Sequence, residues 1–489
     1  MSPLPAGLSR MAVLSAWNHA LATGALVRHT AVSSCTTASD GVTRVSRSPD
    51  ALEFALRLVP SLSRKNAPQA PAKPTPGQCS GGNSLVDAVP PAVSAICPST
   101  RPPGPRPNPF LPHDPSLFVA DLPTAPAENP PSHKVLLNKF PVDKGHVLVV
   151  SSDFAPQTGL WDAADSRAFV SALQTLSVAP ACDMDINGAP VDNGSVDPGA
   201  ARLTLAELAG EWILFYNLGA NSGASQAHRH AQLLPCWALG GYDRPQETPP
   251  AGFEWESSAV PISRVLERWT SQQATPPRTN HLFQLPENRL PFLHLAALLD
   301  PEDFATSSDG RAFTPNAVPG EWTPRAASTV HHLYLQALER LASATDTKLP
   351  PAGPVPADCA HTLDSPGVLS ANILLTRRWL LVVPRQHPAV TLSFTENRDA
   401  VIASTDLPPE NDSPQGSPTL TFSMNALGFA GAVLVRDTQE LALTLDAAAL
   451  THGAIDLATL PLAGYPWQPL GSGEPAAQGG LIDVVTGLV

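Results

Sequence analysis

The apolar residues of this chain fall into short runs, and several runs stand in pairs with a polar turn between them. The runs at 133–140 and 145–152 are joined by Pro-Val-Asp-Lys, which is typical of a β-hairpin. Segments 162–177 and 328–343 instead carry apolar residues at helical spacing. Further short apolar runs lie at 211–219, 229–235, 372–376, 379–385 and 432–436. Hairpins separated by single helices predict an α+β fold, in which helices pack on an antiparallel sheet.

Proline interrupts this pattern more often than in most proteins. The chain has 55 prolines among 489 residues, about twice the usual share of ~5%. The segment 66–107 is Pro-rich and has no apolar period, so we expect a flexible loop insertion there. The predicted organisation is an N-terminal segment at 1–65, the insertion at 66–107, a first half at 108–240 and a C-terminal half at 241–489, with further insertions at 300–325, 345–366 and 395–418.

Charge and cysteine content disfavour several classes of function. A formal net charge of −13 disfavours nucleic-acid binding, for which a basic face is expected. The six cysteines form no CxxC pair, which favours reduced thiols in a cytoplasmic or nuclear protein over a disulfide framework. No apolar run approaches the ~18 residues of a membrane span, so we expect no membrane association. Segment 1–30 lacks the arginine density of a transit peptide and favours an ordinary helix.

The stretch NLGANSGASQAHRHAQLLP at 217–235 carries the strongest chemical signal. Side chains two apart in a strand point the same way, so His228, His230 and Gln232 should line one face. The preceding Gly/Ser loop offers backbone N–H groups, and Ser222 and Ser225 add hydroxyl donors, which together can hold an anion. Neutral imidazole can attack phosphorus while its second nitrogen donates to a fixed acceptor. The motif therefore predicts a phosphate group held beside a histidine nucleophile.

The same residues are also compatible with three different roles. Two imidazoles on one strand face suit zinc, although the motif supplies no third ligand. The pair could also be core histidines with satisfied hydrogen bonds. Ser222 or Ser225 could be an acyl-transfer nucleophile, although the GxSxG spacing is absent.

The stretch resembles the active-site motif of the diadenosine tetraphosphate phosphorylases (ATP adenylyltransferases), a branch of the histidine-triad superfamily with glutamine in the last position of the triad. The family pattern is approximately N-x-G-x-x-S-G-S-S-Q-x-H-K-H-x-Q. Other segments resemble the family in the same order along the chain, and together they cover about half of it. They lie at 56–65, 108–122, 133–161, 288–295, 372–385 and 425–436.

The resemblance implies a role for each matching residue. His230 would be the nucleophile, His228 would orient it or contact phosphate, and Gln232 would bridge the phosphates. Segment 425–436 would close over the ligand. The other positions expected to bind substrate are Lys65, Asn138, Lys139, Asn217, Ser222, Gly223, Ala224, Ser225, Gln226, Asn425, Ala426, Leu427, Ala432 and Arg436.

Three positions depart from the family pattern. Ala224 replaces a serine and loses a hydroxyl donor, and Arg436 replaces a lysine. Arg229 also replaces a lysine; it should point to the opposite face, so we expect little effect. We expect His146 and His294 to be structural, and Arg385 to be either structural or functional.

The resemblance implies a histidine-triad-like fold of two halves, of which only the first carries the nucleophile. It also implies phosphorolysis of diadenosine tetraphosphate to ADP and ATP through a covalent adenylyl-histidine. We expect a monomer that uses a divalent cation, such as Mg²⁺, carried mainly by the substrate phosphates, with no metal bound by the protein itself. The alternatives are a hexose-1-phosphate or GDP-sugar nucleotidylyltransferase, and a sensor that binds dinucleoside polyphosphates without turnover.

Overall fold

The computed structural model describes residues 8–26, 42–45, 54–58, 108–122, 131–177, 210–240, 260–304, 324–351, 367–394, 400–404, 419–435 and 463–470. The strands are β1 Val42–Val45, β2 Phe54–Leu58, β3 Phe118–Leu122, β4 His133–Leu137, β5 Val147–Ser151, β6 Trp212–Leu218, β7 His230–Pro235, β8 Leu282–Phe283, β9 Leu295–Leu298, β10 Ser370–Leu375, β11 Trp379–Arg385, β12 Ala389–Phe394, β13 Ala400–Ser404, β14 Thr419–Ser423 and β15 Ala432–Val435. The helices are α1 Arg10–Thr23, α2 Ala163–Ser177, α3 Trp237–Gly240, α4 Pro261–Ser271, α5 Pro324–Thr345 and α6 Ala426–Phe429.

Nine strands form one central antiparallel sheet in the order β3-β4-β5-β7-β6-β10-β11-β9-β8. The sheet takes strands from both predicted halves, which join where β6 pairs with β10. Two three-stranded sheets, β1-β2-β15 and β13-β12-β14, complete the described strands. The α+β fold with an antiparallel sheet is confirmed, as are the hairpin of β4 and β5, the two long helices and the N-terminal helix. The domain boundaries and the histidine-triad-like character of the fold stay predictions.

One face of the central sheet is covered by α1, α2 and α5 and forms the larger apolar core. Large side chains alternate along β6, where Trp212 and Tyr216 point into this core and are fully buried. The ring centroid of Trp161 lies 4.0 Å from that of Tyr334 on α5, and the two rings are tilted relative to each other. Because this face is closed by helices, a site open to a ligand has to lie on the other face.

The other face of the sheet packs its apolar residues against α4 and α6. Along this face the register places Asn217 of β6 directly opposite Asn372 of β10, and both side chains are buried. Apolar neighbours in the same strands, such as Phe215 and Leu374, point to this same face. Burying an amide side chain costs free energy unless it is hydrogen-bonded. The pair formed by Asn217 and Asn372 therefore marks a part of the sheet with a role beyond apolar packing.

Several expectations fall outside the described residues, namely Lys65, Arg436, the insertion at 66–107 and most of the three later insertions. Among the helices that the structure describes, none is both long enough and apolar enough to cross a membrane.

Candidate active site

His230 lies at the first position of β7 and is 4% exposed. Its ring Nδ1 is 2.8 Å from the carbonyl oxygen of His228. A carbonyl can only accept, so Nδ1 carries the proton and the lone pair of the neutral ring is on Nε2. The backbone itself thus fixes the tautomer that a nucleophilic histidine needs, as the sequence predicted for one of the two rings.

Gln157 fixes the main chain on which His230 sits. Its side-chain oxygen accepts from the backbone N–H of His230 at 2.7 Å, and its amide nitrogen donates to the carbonyl of Asn217 at 2.8 Å. The residue is fully buried. Sequence analysis missed Gln157, because an isolated glutamine 73 residues from its partner leaves no local signal.

His228 is buried just before β7 and pairs with Pro156 as an isolated bridge rather than as part of the strand. The ring of Phe110 contacts both imidazoles, with its centroid 5.5 Å from that of His228 and 5.3 Å from that of His230. The two imidazoles therefore lie on the same side, as expected. The expectation of one continuous strand through 228–232 is wrong at its start, because Arg229 N–H bonds to Ala155 instead.

The ring of His228 is held from both nitrogens. Nε2 donates to the carbonyl of Ser151 at 2.9 Å, and Nδ1 accepts from the side-chain amide of Asn108 at 2.9 Å. Burial lowers the pKa of His228 to about 4, so the ring is neutral at pH 7. These contacts suit a residue that orients His230 through its backbone carbonyl.

Gln232 follows on the same face, half-buried. Its Oε1 lies 3.0 Å from Nε2 of His146. His146 is itself buried, and its Nδ1 accepts from the backbone N–H of Val142 at 3.1 Å. The ring of His146 thus contacts a predicted site residue, and the expectation that His146 is structural stays a prediction. His294 is structural, since it bonds to the backbone of Leu285 and Phe292.

The loop after β6 is held by its own contacts and by hydrogen bonds to β10 and to Gln386, which follows β11. Ser222 is fully buried and donates its hydroxyl to the carbonyl of Gly219 at 2.6 Å. The expected hydroxyl donor to a ligand is therefore used inside the loop. Ser225 is exposed, whereas Gly223, Ala224 and Gln226 are half-buried. Any anion held here would meet backbone N–H groups and the Ser225 hydroxyl rather than the hydroxyl of Ser222.

The C-terminal segment packs against the end of β6 and the loop that follows it. Asn217 Oδ1 accepts from the backbone N–H of Ala426 at 3.0 Å, and Asn425 caps the short helix α6 by accepting from Leu427 at 3.0 Å. Ala432 is instead buried in the apolar cluster around α6, where β15 begins. The expectation that Ala432 contacts the substrate is therefore not supported by its side chain, which packs in the core.

Arg385 is a buried cation at the centre of these segments. Its guanidinium donates to Asn372 Oδ1 at 2.5 Å and to the carbonyls of Met424, His387 and Ala463 at 2.9, 2.6 and 3.0 Å. Burial lowers the pKa of Arg385 to about 9, so it stays charged at neutral pH. Together with a longer bond of 3.4 Å to the carbonyl of Ser222, these contacts connect the loop after β6, the segment just before α6 and the segment at 463–470.

Asn138 and Lys139 lie on the turn of the hairpin formed by β4 and β5. Asn138 Oδ1 accepts from the N–H of Phe140 at 3.0 Å, and its amide nitrogen approaches the ring of His146. Lys139 is exposed. Asn138 therefore reaches the site through His146, while Lys139 is available at the surface of the same turn.

Arg229 points to the opposite face, as expected. Its Nη1 is 2.6 Å from Asp165 Oδ2, and His133 Nε2 is 3.0 Å from Asp165 Oδ1, with both acidic and basic side chains buried. Burial acts to raise the pKa of Asp165, but the hydrogen bond from His133 and the charge of Arg229 outweigh it and hold that pKa below its usual value. The guanidinium thus anchors the residue before β7 to α2, and the expectation that arginine in place of lysine has little effect stays a prediction.

Among the residues that the structure describes, no three His, Cys, Asp or Glu side chains come together in a way that could hold a metal ion. The histidine pair has its polar contacts with Asn108, Ser151 and the backbone instead.

Gly223 provides a test of how the loop meets the C-terminal segment. Its φ of +79° lies in the left-handed region, and a Cβ there would overlap the carbonyl oxygen of Met424. Gly367 has a similar φ of +73° but open space around it. Left-handed strain costs about 1–2 kcal/mol at either position, so Gly367→Ala is the matched control. Gly223→Ala should lose clearly more stability in denaturant unfolding; equal losses would contradict this packing.

The fold is α+β, and its antiparallel sheet presents a histidine of fixed tautomer beside a loop that offers hydrogen-bond donors. This arrangement defines a candidate site for transfer of a phosphorus-centred group. Family comparison makes the assignment specific. The Ap4A phosphorylase N-terminal domain matches residues 98–179, and the ATP adenylyltransferase C-terminal domain matches residues 288–452. These matches cover about half of the chain, and the chain belongs to the Ap4A (diadenosine tetraphosphate) phosphorylase family.

One curated sequence and one solved structure resemble the chain along most of its length. Diadenosine 5',5'''-P1,P4-tetraphosphate phosphorylase 2 of Saccharomyces cerevisiae is 22% identical over 335 residues, which are 68% of this chain and 70% of the yeast protein. The crystal structure of yeast Ap4A phosphorylase Apa2 superimposes with a TM-score of 0.50 and 19% identity, covering 96% of this chain and 100% of the yeast one. At this level of identity, the similarity to the crystal structure shows the fold alone.

Proposed function

We propose that this protein phosphorolyses diadenosine tetraphosphate to ATP and ADP through a covalent adenylyl group on His230. Membership of the Ap4A phosphorylase family supports the overall reaction. The single observation that carries the proposed nucleophile is the hydrogen bond from His230 Nδ1 to the carbonyl of His228. That bond leaves the lone pair on Nε2, on the sheet face that also presents Gln232 and the loop after β6.

The proposed reaction has two displacements at the same phosphorus. His230 Nε2 attacks the α-phosphorus of one adenylyl group, an N–P bond forms, and the bond to the bridging oxygen breaks so that ATP leaves with the electron pair. An oxygen of inorganic phosphate then attacks the same phosphorus, the N–P bond breaks, and ADP is released with His230 neutral again.

The surroundings of His230 fit the charges that develop in these steps. The imidazole becomes cationic when Nε2 bonds to phosphorus, and the His228 carbonyl dipole at 2.8 Å stabilises that cation through Nδ1–H. The amide nitrogen of Gln232 can donate to the transferring phosphoryl oxygens without adding negative charge. Asn217 and Arg385 hold the loop and α6 in place around the ligand.

A divalent cation belongs to the proposal. The chain has a net charge of −13, and the substrate carries several negative charges of its own. A cation carried by substrate oxygens would offset much of this repulsion, as Mg²⁺ commonly does on phosphates. We expect activity to be lost in excess chelator and restored by Mg²⁺, Mn²⁺ or Ca²⁺, with no stoichiometric zinc in dialysed protein by elemental analysis. Zinc that survives dialysis and is lost in His228→Ala would contradict the proposal.

The deciding experiment incubates the protein with diadenosine tetraphosphate labelled in the α-phosphate, without phosphate, and maps the labelled residue by mass spectrometry. We expect one adenylyl group on His230, and release of labelled ADP when phosphate is added. Release of label only on addition of a hexose 1-phosphate would instead identify a sugar nucleotidylyltransferase. Binding without any label or product would identify a sensor.

A further inference from the structure

We propose that His146 is a positioning residue that sets which way the side-chain amide of Gln232 faces, and so presents the Gln232 NH₂ group to the transferring phosphoryl group. This inference rests on the proposed function, because it names a second residue on which the same transfer depends. It concerns a histidine that sequence analysis expected to be only structural.

The hydrogen-bond donors along this path can be assigned from chemistry alone. The backbone N–H of Val142 can only donate, so His146 Nδ1, 3.1 Å away, has to be the acceptor. The proton of the neutral ring is then on Nε2, which lies 3.0 Å from the side chain of Gln232 and 3.3 Å from Asn138 Nδ2. Asn138 Nδ2 is itself a donor, so of these two groups only the amide oxygen of Gln232 can accept that proton. An N–H facing Gln232 requires the amide oxygen on that side, because the NH₂ group would place hydrogen against hydrogen. The Gln232 NH₂ group therefore faces away from His146.

The ring of His146 has little freedom to change this arrangement. The residue is 1% exposed, and its backbone closes the hairpin turn through bonds from Asn138 N–H to its carbonyl at 3.0 Å and from its own N–H to Asp143 at 3.3 Å. Its ring lies 5.9 Å from that of Phe215, which is the register partner of Gln232 on β6. Backbone geometry at the turn thus decides the orientation of a side chain on β7.

The consequence for the reaction is electrostatic. With the amide as found, two N–H groups of Gln232 can donate to anionic phosphoryl oxygens. With the amide reversed, its carbonyl oxygen would face those same oxygens and repel them. Both orientations have the same shape, so only a hydrogen bond such as the one from His146 distinguishes them. Loss of that bond should therefore reduce transfer without opening a cavity at Gln232 itself.

Two substitutions separate positioning from packing. His146→Gln keeps an N–H donor near the place of Nε2, whereas His146→Asn keeps an acceptor near the place of Nδ1 and loses the donor. We expect His146→Asn to lower kcat about tenfold or more with a smaller change in KM, and His146→Gln to retain most of the activity. Gln232→Ala should lower kcat by about 10²-fold, on the scale of removing one donor to a developing anion.

A double variant completes the test. In the Gln232→Ala background, His146→Asn should change kcat by less than about twofold, because the group it positions is gone. Equal losses in His146→Asn and His146→Gln, or losses that multiply in the double variant, would show a structural role and overturn the inference. If wild-type protein shows neither the adenylyl group nor phosphate-dependent ADP release, the proposed function fails instead, and the two failures are thereby distinguished.

A measurement on the wild-type protein guards against variants that fail to fold. In ¹⁵N-histidine-labelled protein, the ring of His146 should show a protonated Nε2 and a bare Nδ1 by two-dimensional NMR. A proton on Nδ1 would overturn the inference regardless of how any variant behaves.

Discussion

His230→Ala is expected to lower the rate of diadenosine tetraphosphate phosphorolysis by at least ~10³-fold, the scale seen when a covalent nucleophile is removed. The adenylyl group trapped in the absence of phosphate should disappear with it. The reason is that the neighbouring imidazole cannot replace it: the ring of His228 uses Nε2 on Ser151 and Nδ1 on Asn108. Phosphorolysis rate and incorporated label are the two measurements.

His228→Ala is the matched control for this prediction. The group of residue 228 that contacts His230 Nδ1 is its backbone carbonyl, which the substitution leaves in place. Part of the activity and of the label should therefore remain, with the loss coming from a less rigid backbone before β7. An active His230→Ala protein would refute the nucleophile, and a His228→Ala protein as inactive as His230→Ala would refute the division of roles.

Asp165→Ala is expected to destabilise the protein by about 3–5 kcal/mol, because it leaves the charge of Arg229 buried without its partner. Replacing both residues in Asp165→Leu/Arg229→Met should cost less than the sum of the single changes, since no uncompensated charge remains. Chemical denaturation of the four proteins measures both quantities. Additive losses would mean that the pair contributes little beyond packing.

The difference in unfolding free energy between wild type and Asp165→Ala should depend on pH in a defined direction. The folded pKa of Asp165 is depressed, so its stabilising contribution is fully present above the ordinary carboxyl pKa of 3.8 and is lost as the pH falls through the folded value. The gap in unfolding free energy between wild type and Asp165→Ala should thus be constant from about pH 5 upward and shrink in stronger acid. A gap that already narrows at about pH 6 would point to a different titrating group.

Sequence patterns predicted the elements of this site better than the contacts between them. Alternation in 229–235 and the apolar runs of 211–219 and 372–376 correctly indicated the neighbouring strands, because burial of one sheet face determines such patterns locally. Periodicity says nothing about which strands pair. The junction of β6 with β10 joins residues 155 positions apart, as in the bond between Asn217 and Asn372.

The residues missed by sequence analysis share one physical property. Gln157, His146 and Asn372 are buried polar side chains whose partners lie far away in the chain, and each bonds to a residue that the motif did contain or to its backbone. A signal for His146 and Asn372 was present, since each is a lone polar residue beside or within an apolar strand. Such residues must be satisfied by something, and here they support the site.

The hydrogen bonds of the Arg385 guanidinium limit how the segments around it can move. It binds the carbonyls of Met424 and Ala463 in two distant segments and that of His387 two residues further along its own segment, together with the side chain of Asn372. If any one stretch lifted alone, a charge buried in the interior would lose a partner that water could not quickly replace. The segments at Met424 and Ala463 are therefore expected to move away from β11 together rather than one at a time.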